Sequence, residues 1–299
     1  MSDSPTGVMV MAYGTPGSRD ELEAYYTHIR RGRPPTAEQL AELRARYDAI
    51  GGLSPLRRIT QQQVEAVAAE LQRRRPDAFR VQVGLKHAAP LIEDATEALR
   101  DCREIVGLVL APHFSHLSVG SYLARLAAAA PWAEVRRVAS WWAHPGYVDA
   151  LSARLTATLA RTTAGHDTLV LFTAHSLPAR IVESDDPYVE ELTKAANLVA
   201  SRSDVTNWAL AWQSAGRTPE PWLGPDIRDV LRALAGEVVE IVVCPHGFTA
   251  DHLEVLYDID IEAAAVAAEA GITLLRTPSF NDDAALVGAL ADMVEAAAR

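Results

Sequence analysis

The chain has 299 residues, 49% apolar and 22% charged, with 39 acids against 28 Lys and Arg and a formal net charge of −11. That length supplies one large or two ordinary hydrophobic cores, and the acidic balance disfavours nucleic acid as a partner. No apolar run approaches the ~20 residues of a membrane span, and the opening "MSDSPTGVMVMAYG" lacks the basic start and apolar length of a secretory leader, so a cytoplasmic protein is expected.

In chain order, "GVMVMAYG" (7–14) reads as a strand, followed by amphipathic helical patterns over 18–30, 37–48 and 57–74. A strand at 79–85 and a helix at 90–101 come next, then a strand at 105–111, a helix at 118–130 and a strand at 134–140. After a helix at 146–162 the rhythm repeats: strands at 167–174, 207–213, 240–244 and 271–276 alternate with helices at 186–202, 225–235, 252–270 and 282–298. Such alternation predicts an α/β chain with parallel sheets. The strands fall into two sets of four, so two lobes are expected, over 1–150 and 151–299, joined in or near the helix at 146–162. The last helix is free to pack back on the first lobe. "VLAPHFS" (109–115) and "VVCPHGF" (242–248) form a faint internal echo, each placing Pro-His after a strand.

In open α/β sheets, ligands bind beyond the carboxyl ends of the strands. Those ends carry Tyr13, His87, His113, His175, Gln213, Ser214 and His246. Each alone suits a structural role; their convergence suggests a site. His175, just past an apolar strand in "TAHSLP", is suited to moving protons or holding metal. His113-x-x-His116 has a metal-like spacing, but no Cys or HExxH lies near it. Seven arginines and no lysine lie between Arg30 and Arg58, and the planar guanidinium fork suits carboxylates and phosphates. Helix-surface ion pairs account equally well for Arg44, Arg57 and Arg58. "IGGLSPL" (50–56) adds a Gly-Gly turn beside a Ser hydroxyl. In "DHLEVLYDIDIE" (251–262), helical spacing puts Asp251, Glu254, Asp258 and Glu262 on one stripe of an otherwise apolar helix. Buried carboxylates need a cation, donors or water, so the stripe faces a wet cleft, a metal or an Arg cluster, or else it is an ordinary solvated face. There is no GxGxxG, P-loop or GxSxG. The two cysteines, Cys102 and Cys244, imply neither a disulfide framework nor an iron–sulfur cluster and read as small core residues.

"VMAYGTP", "YYTHIRRGRPP", "RYDAIGGLSPL", "GLKHAAP", "LAPHFS", "AHSLP", "WQSAGRTPEPWLGPD" and "DHLEVLYDIDIE" together resemble the ferrochelatases, most of all the bacterial type that acts on coproporphyrin III. The resemblance implies two Rossmann-like, chelatase-type lobes with four-stranded parallel sheets and the active site in the cleft between them. It implies insertion of Fe²⁺, as substrate, into coproporphyrin III to give coproheme in heme biosynthesis. The alternatives are a protoporphyrin IX ferrochelatase and a porphyrin or heme carrier without chemistry. By resemblance, His175 and Glu254 are the metal-insertion pair and Tyr13 the axial ligand of the product iron. Arg30, Arg46, Tyr47, Ser54 and Tyr122 match positions that hold the macrocycle and its propionates. Glu254, Asp258 and Glu262 become an acidic ladder on a helix widened by a π-bulge, with room for a second divalent ion, an auxiliary Mg²⁺, at Asp258 and Glu262. No tightly bound cofactor is expected. A monomer is expected, with transient contact to the next heme-pathway enzyme. The Arg-rich 30–58 region favours a porphyrin with four propionates over one with two.

Overall fold

The structure is a computed structural model that describes residues 4–299. Met1–Asp3, part of the stretch read for a leader, lie outside the described residues. The first half runs β1 (Thr6–Ala12), α1 (Leu22–Ile29), α2 (Ala37–Ala49), α3 (Leu56–Arg74), β2 (Phe79–Leu85), α4 (Ile92–Ala95), β3 (Glu104–Val109), α5 (Val119–Ala129) and β4 (Glu134–Val138). Helix α6 (Pro145–Leu159) leads into β5 (Leu169–His175), α7 (Tyr188–Arg202), β6 (Trp208–Gln213), α8 (Ile227–Ala233) and β7 (Glu240–Cys244). The chain closes with α9 (Leu253–Leu256), a π-helical segment (Asp258–Ala263), α10 (Ala264–Glu269), β8 (Thr273–Arg276) and α11 (Ala284–Ala297).

The eight strands form two four-stranded sheets of the same order, β2-β1-β3-β4 and β6-β5-β7-β8, with every pairing parallel. In each, the chain leaves the first strand to one side and returns on the other, which opens a crevice at the carboxyl ends of β1 and β5. Side chains alternate across a strand. Val8 and Val10 therefore face inward with Val106 and Leu108, while Met9 and Met11 face outward with Ile105, under Ile92 of α4 and Leu126 of α5. The second sheet repeats this, with Leu171, Ile241 and Val243 packed beneath Leu231 of α8 and Ala267 of α10. The inner faces share one core: Val8 and Val106 of the first sheet and Phe172 and Val242 of the second lie in one cluster with Leu71 of α3, Leu155 of α6, Val199 of α7 and Leu290 of α11.

Helix α11 lies against α3 and α6. Arg74 of α3 fixes it, donating to Asp292 at 2.5 Å and Glu295 at 3.0 Å and back to Glu70 at 2.7 Å. Helix α2 begins with a capping box: the Thr36 hydroxyl accepts from Gln39 N, and the Gln39 side chain accepts from Thr36 N. In the Gly-Gly turn that follows, Gly51 and Gly52 take φ of +89° and +124°, where a Cβ would be strained.

Three sequence expectations change in detail. The strand read to residue 14 leaves the ladder after Ala12, where Gly14 turns to φ +85°. The helix read over 90–101 is a single α-turn followed by a 3₁₀ turn, Thr96–Leu99. The helix read over 252–270 is α9, the π segment and α10 in succession.

Candidate active site

Tyr13 follows β1 and His175 ends β5, at the carboxyl ends where the crevice lies. His175 Nδ1 donates to the Ser176 carbonyl, which fixes the tautomer and leaves Nε2 facing Glu254 Oε1 at 3.6 Å. The other Glu254 oxygen lies 3.6 Å from His252 Nε2, and Gln213 Nε2 donates to the Glu254 carbonyl at 2.9 Å. The His175 and Glu254 side chains are 34% and 31% exposed, so both meet solvent through the cleft. Burial alone would lower the pKa of His175; the Glu254 carboxylate and the Ser176 carbonyl overcome it and raise it to about 8. Burial alone would raise Glu254; the His175 charge and hydrogen bonds from His175 and His252 hold it far below the usual carboxylate range. The pair is therefore ionised near neutrality.

The acid stripe continues through the π segment, where both Ile261 N (3.2 Å) and Glu262 N (2.9 Å) donate to the Tyr257 carbonyl, the second across five residues. Asp258 is 5% exposed. It receives Arg46 and the Ser214 hydroxyl, and the Arg46 guanidinium stacks 4.6 Å over the Tyr257 ring. Burial raises Asp258 to about 6; Arg46 opposes that and the Glu254 charge adds to it. Glu262 meets Arg228 at 3.4 Å. Asp258, Glu262, Arg46, Ser214, Arg217 and Glu42 line one cavity of about 240 Å³. Each ladder carboxylate there already faces a guanidinium, so a second divalent ion would enter only in exchange for one. Among the described residues no group of three or more His, Cys, Asp or Glu is placed to hold a metal ion. Asp251, expected on the stripe, lies before α9 instead, bound to Ser279 (2.7 Å), Asn281 (3.0 Å) and Arg276 (3.3 Å).

Three of the expected site residues in the first half are tyrosines. Tyr13 is 41% exposed, its ring 4.6 Å from His87, whose Nδ1 is 2.9 Å from His28 Nδ1. Tyr47 OH lies 3.0 Å from Thr15 Oγ1, and Lys86 Nζ stands 4.7 Å over the Tyr122 ring. Burial is the first cause that raises the phenols of Tyr13, Tyr47 and Tyr122, and the Glu254 carboxylate adds to all three. Burial, with the Lys86 and His28 charges, lowers His87 to about 3, and burial with the Arg125 charge lowers Lys86 to about 8.

Arg30 and Ser54 make local contacts. Arg30 Nε donates to the Arg33 carbonyl at 3.2 Å and its guanidinium lies 5.6 Å from the Tyr26 ring centre. Ser54 accepts from Leu56 N at 3.3 Å at the start of α3. The His113-x-x-His116 spacing does not form a pair: His113 packs edge-on to His246, and His116 against Phe114. Cys102 is buried outside the first sheet and Cys244 in the inner core. Sequence reasoning missed His252, because residues two apart on a helix do not face the same way. In the structure it precedes the helix in extended conformation, with φ −156°, which lets it turn toward Glu254. It also missed Arg217 and Arg228, which meet Glu42 and Glu262, distant in sequence.

The ferrochelatase family model matches residues 5–298. The chain is 43% identical to the coproporphyrin III ferrochelatase of Anoxybacillus flavithermus, over 98% of this chain and 96% of that protein. It is 42% identical to the protein of the same name from Halalkalibacterium halodurans, over 99% and 98%. Among solved structures, SirB from Bacillus subtilis, determined with Fe³⁺, superposes with a TM-score of 0.60 at 14% identity, over 98% of this chain and 96% of that one. CbiX, the terminal enzyme of siroheme biosynthesis in denitrifying bacteria, gives 0.56 at 18% identity, over 98% and 99%. At those identities the likeness is one of fold. With a family match over residues 5–298 and relatives 42–43% identical along nearly the whole length of both proteins, the chain belongs to the ferrochelatase family.

Proposed function

We propose that the chain inserts Fe²⁺ into coproporphyrin III, releasing the two pyrrole protons and yielding coproheme. The observation that carries this reading is the His175–Glu254 pair, 3.6 Å apart and solvent-reachable. A carrier needs a cradle; it does not need a paired acid and base aimed at the centre of its ligand.

His175 Nε2, its tautomer fixed through Nδ1, takes a pyrrole proton when neutral and meets the metal on the same face. Glu254 accepts that proton from the imidazolium transiently and passes it on, which returns His175 to the neutral form for the second pyrrole proton. Asp258, raised to about 6, exchanges protons near neutrality, which suits a middle step between Glu254 and the Glu262 cavity. The Tyr13 phenol stays protonated until the metal arrives, and then offers its oxygen from the other side as the axial ligand. Arg30, Arg46, Tyr47, Ser54 and Tyr122 hold the macrocycle and its propionates. Arg46 serves both ends of the site, since its guanidinium already bridges α2 to Asp258. No step is assigned to Mg²⁺ or to an iron–sulfur cluster. The two units divide at residue 150, within α6, and share the inner core.

The test is anaerobic mixing of the protein with Fe²⁺ and either coproporphyrin III or protoporphyrin IX, followed by visible absorption. Faster metallation of coproporphyrin III is expected. Preference for protoporphyrin IX would overturn the substrate, and binding spectra without metallation would favour a carrier.

A further inference from the structure

The two Pro-His pairs that echo each other in sequence meet in the structure. His113 follows β3 in the first lobe and His246 follows β7 in the second, each the third strand of its sheet. Their rings pack edge to face, 5.2 Å between centres. His246 is also edge-on to Phe172 at 5.3 Å, and the Tyr147 hydroxyl of α6 donates to its carbonyl at 2.7 Å. Phe172 and Tyr147 both belong to the inner core that the sheets share. Just past His246, Thr249 Oγ1 donates across the lobes to the Leu110 carbonyl at 3.2 Å. His113 is 2% exposed and His246 is fully buried. His246 Nε2 donates to the Leu192 carbonyl of α7 at 3.1 Å, which leaves Nδ1 as an acceptor. Neither that atom nor either nitrogen of His113 finds a partner among the described residues.

The surroundings favour neutral rings. Tyr147 of α6 and Cys244 of β7 are both pushed up by burial and stay uncharged near neutrality. Glu191 of α7 is engaged by Phe114 N at 2.6 Å and Ser140 Oγ at 2.8 Å. No carboxylate offsets the burial of either imidazole. Burial lowers His113, and the His246 charge adds to it; burial lowers His246 to about 4 against the backbone carbonyls around it. Two imidazolium charges side by side in this core would be desolvated and unpaired.

We propose that His113 and His246 form an acid-sensitive joint between the two lobes: neutral, the packed rings close the shared core at the carboxyl ends of β3 and β7; protonated, they repel and part it. Histidines lowered in this way contribute stability that is present above about 6.5 and is lost as pH falls toward about 4. The sense is opposite to that of His175, whose contribution is lost as pH rises.

The test compares wild type with H113F/H246Q near neutrality and at about pH 5, by hydrogen exchange read with mass spectrometry and by urea melts. Phe keeps a ring at 113, and Gln keeps a donor for the Leu192 carbonyl without taking up a proton. In wild type, protection corrected for intrinsic rate should fall on acidification in 110–116 and 243–249 together, ahead of the rest of the chain. The wild-type folding equilibrium constant should fall about tenfold or more further than that of the double variant. Ring-proton NMR of wild type should show both imidazoles still mainly neutral at about pH 5. An equal fall in the double variant, loss of protection in one segment without the other, or either ring titrating at the ordinary histidine value would overturn the joint. The NMR reading needs no substitution, so it decides the matter even where H113F/H246Q fails to fold.

Discussion

At the scale of single residues, the site is governed by one ion pair. Glu254 lifts His175 to about 8 against the burial that would lower it. Replacing Glu254 with Gln removes that support and leaves the burial. The His175 imidazole should then titrate below its ordinary value, which an NMR titration of the ring proton would read directly; an unchanged midpoint would mean the carboxylate is not the cause. The sign for stability follows from the same shift. A histidine raised above its unfolded value contributes stability that is present below about 6.5 and is lost as pH rises through about 8. Insertion needs neutral His175, so its rate should rise over the range in which that contribution fades. The pairing was expected only by resemblance, through "AHSLP" and "HLEVLYD"; the spacing of the residues alone did not join them. Helical spacing puts Asp251 on the stripe only if the helix starts there, and the helix starts at Leu253, with His252 extended before it.

At the scale of elements, α2 carries Arg46 and Tyr47 into the cleft, and its start depends on the Thr36–Gln39 capping box. Thr36→Ala should cost about 1 kcal/mol, read as a lower denaturant midpoint with an unchanged slope. No shift would mean that α2 is held by packing of Leu40 and Tyr47 alone. The central strands were legible from apolar runs such as Val8–Met11, because parallel strands covered on both faces are apolar throughout, whereas the edge strand β4 carries Glu134, Arg136 and Arg137 and is only partly covered. The helix at 90–101 was overread: the apolar positions Ile92, Ala95 and Leu99 fit a helical period but pack equally well from a single turn and a 3₁₀ turn. The π widening was expected only by resemblance, since apolar spacing does not distinguish it from an α-helix over six residues.

At the scale of the whole molecule, the two sheets share one inner core, and α11 locks onto that core from the chain's end. Leu286, Leu290 and Val294 are fully buried there, and Arg74 binds both Asp292 and Glu295. Arg74→Ala strands those acids beside a partly buried edge and should destabilise the protein by about 1–2 kcal/mol, less at high salt. A thermal melt identical to wild type would assign the docking of α11 to its apolar face alone. The four-and-four rhythm of strands was plain in the sequence; the shared core was not, because its contacts join Val8 to Phe172 and Leu290 across most of the chain.

The most direct test of the account is to measure porphyrin binding and anaerobic Fe²⁺ insertion side by side in His175→Ala. His175 ends a strand at the cleft, with its side chain 34% exposed, so its loss leaves no core cavity. The account predicts coproporphyrin III binding close to wild type with insertion reduced by at least about 100-fold, in the range of a lost acid–base group. Insertion near the wild-type rate would contradict it.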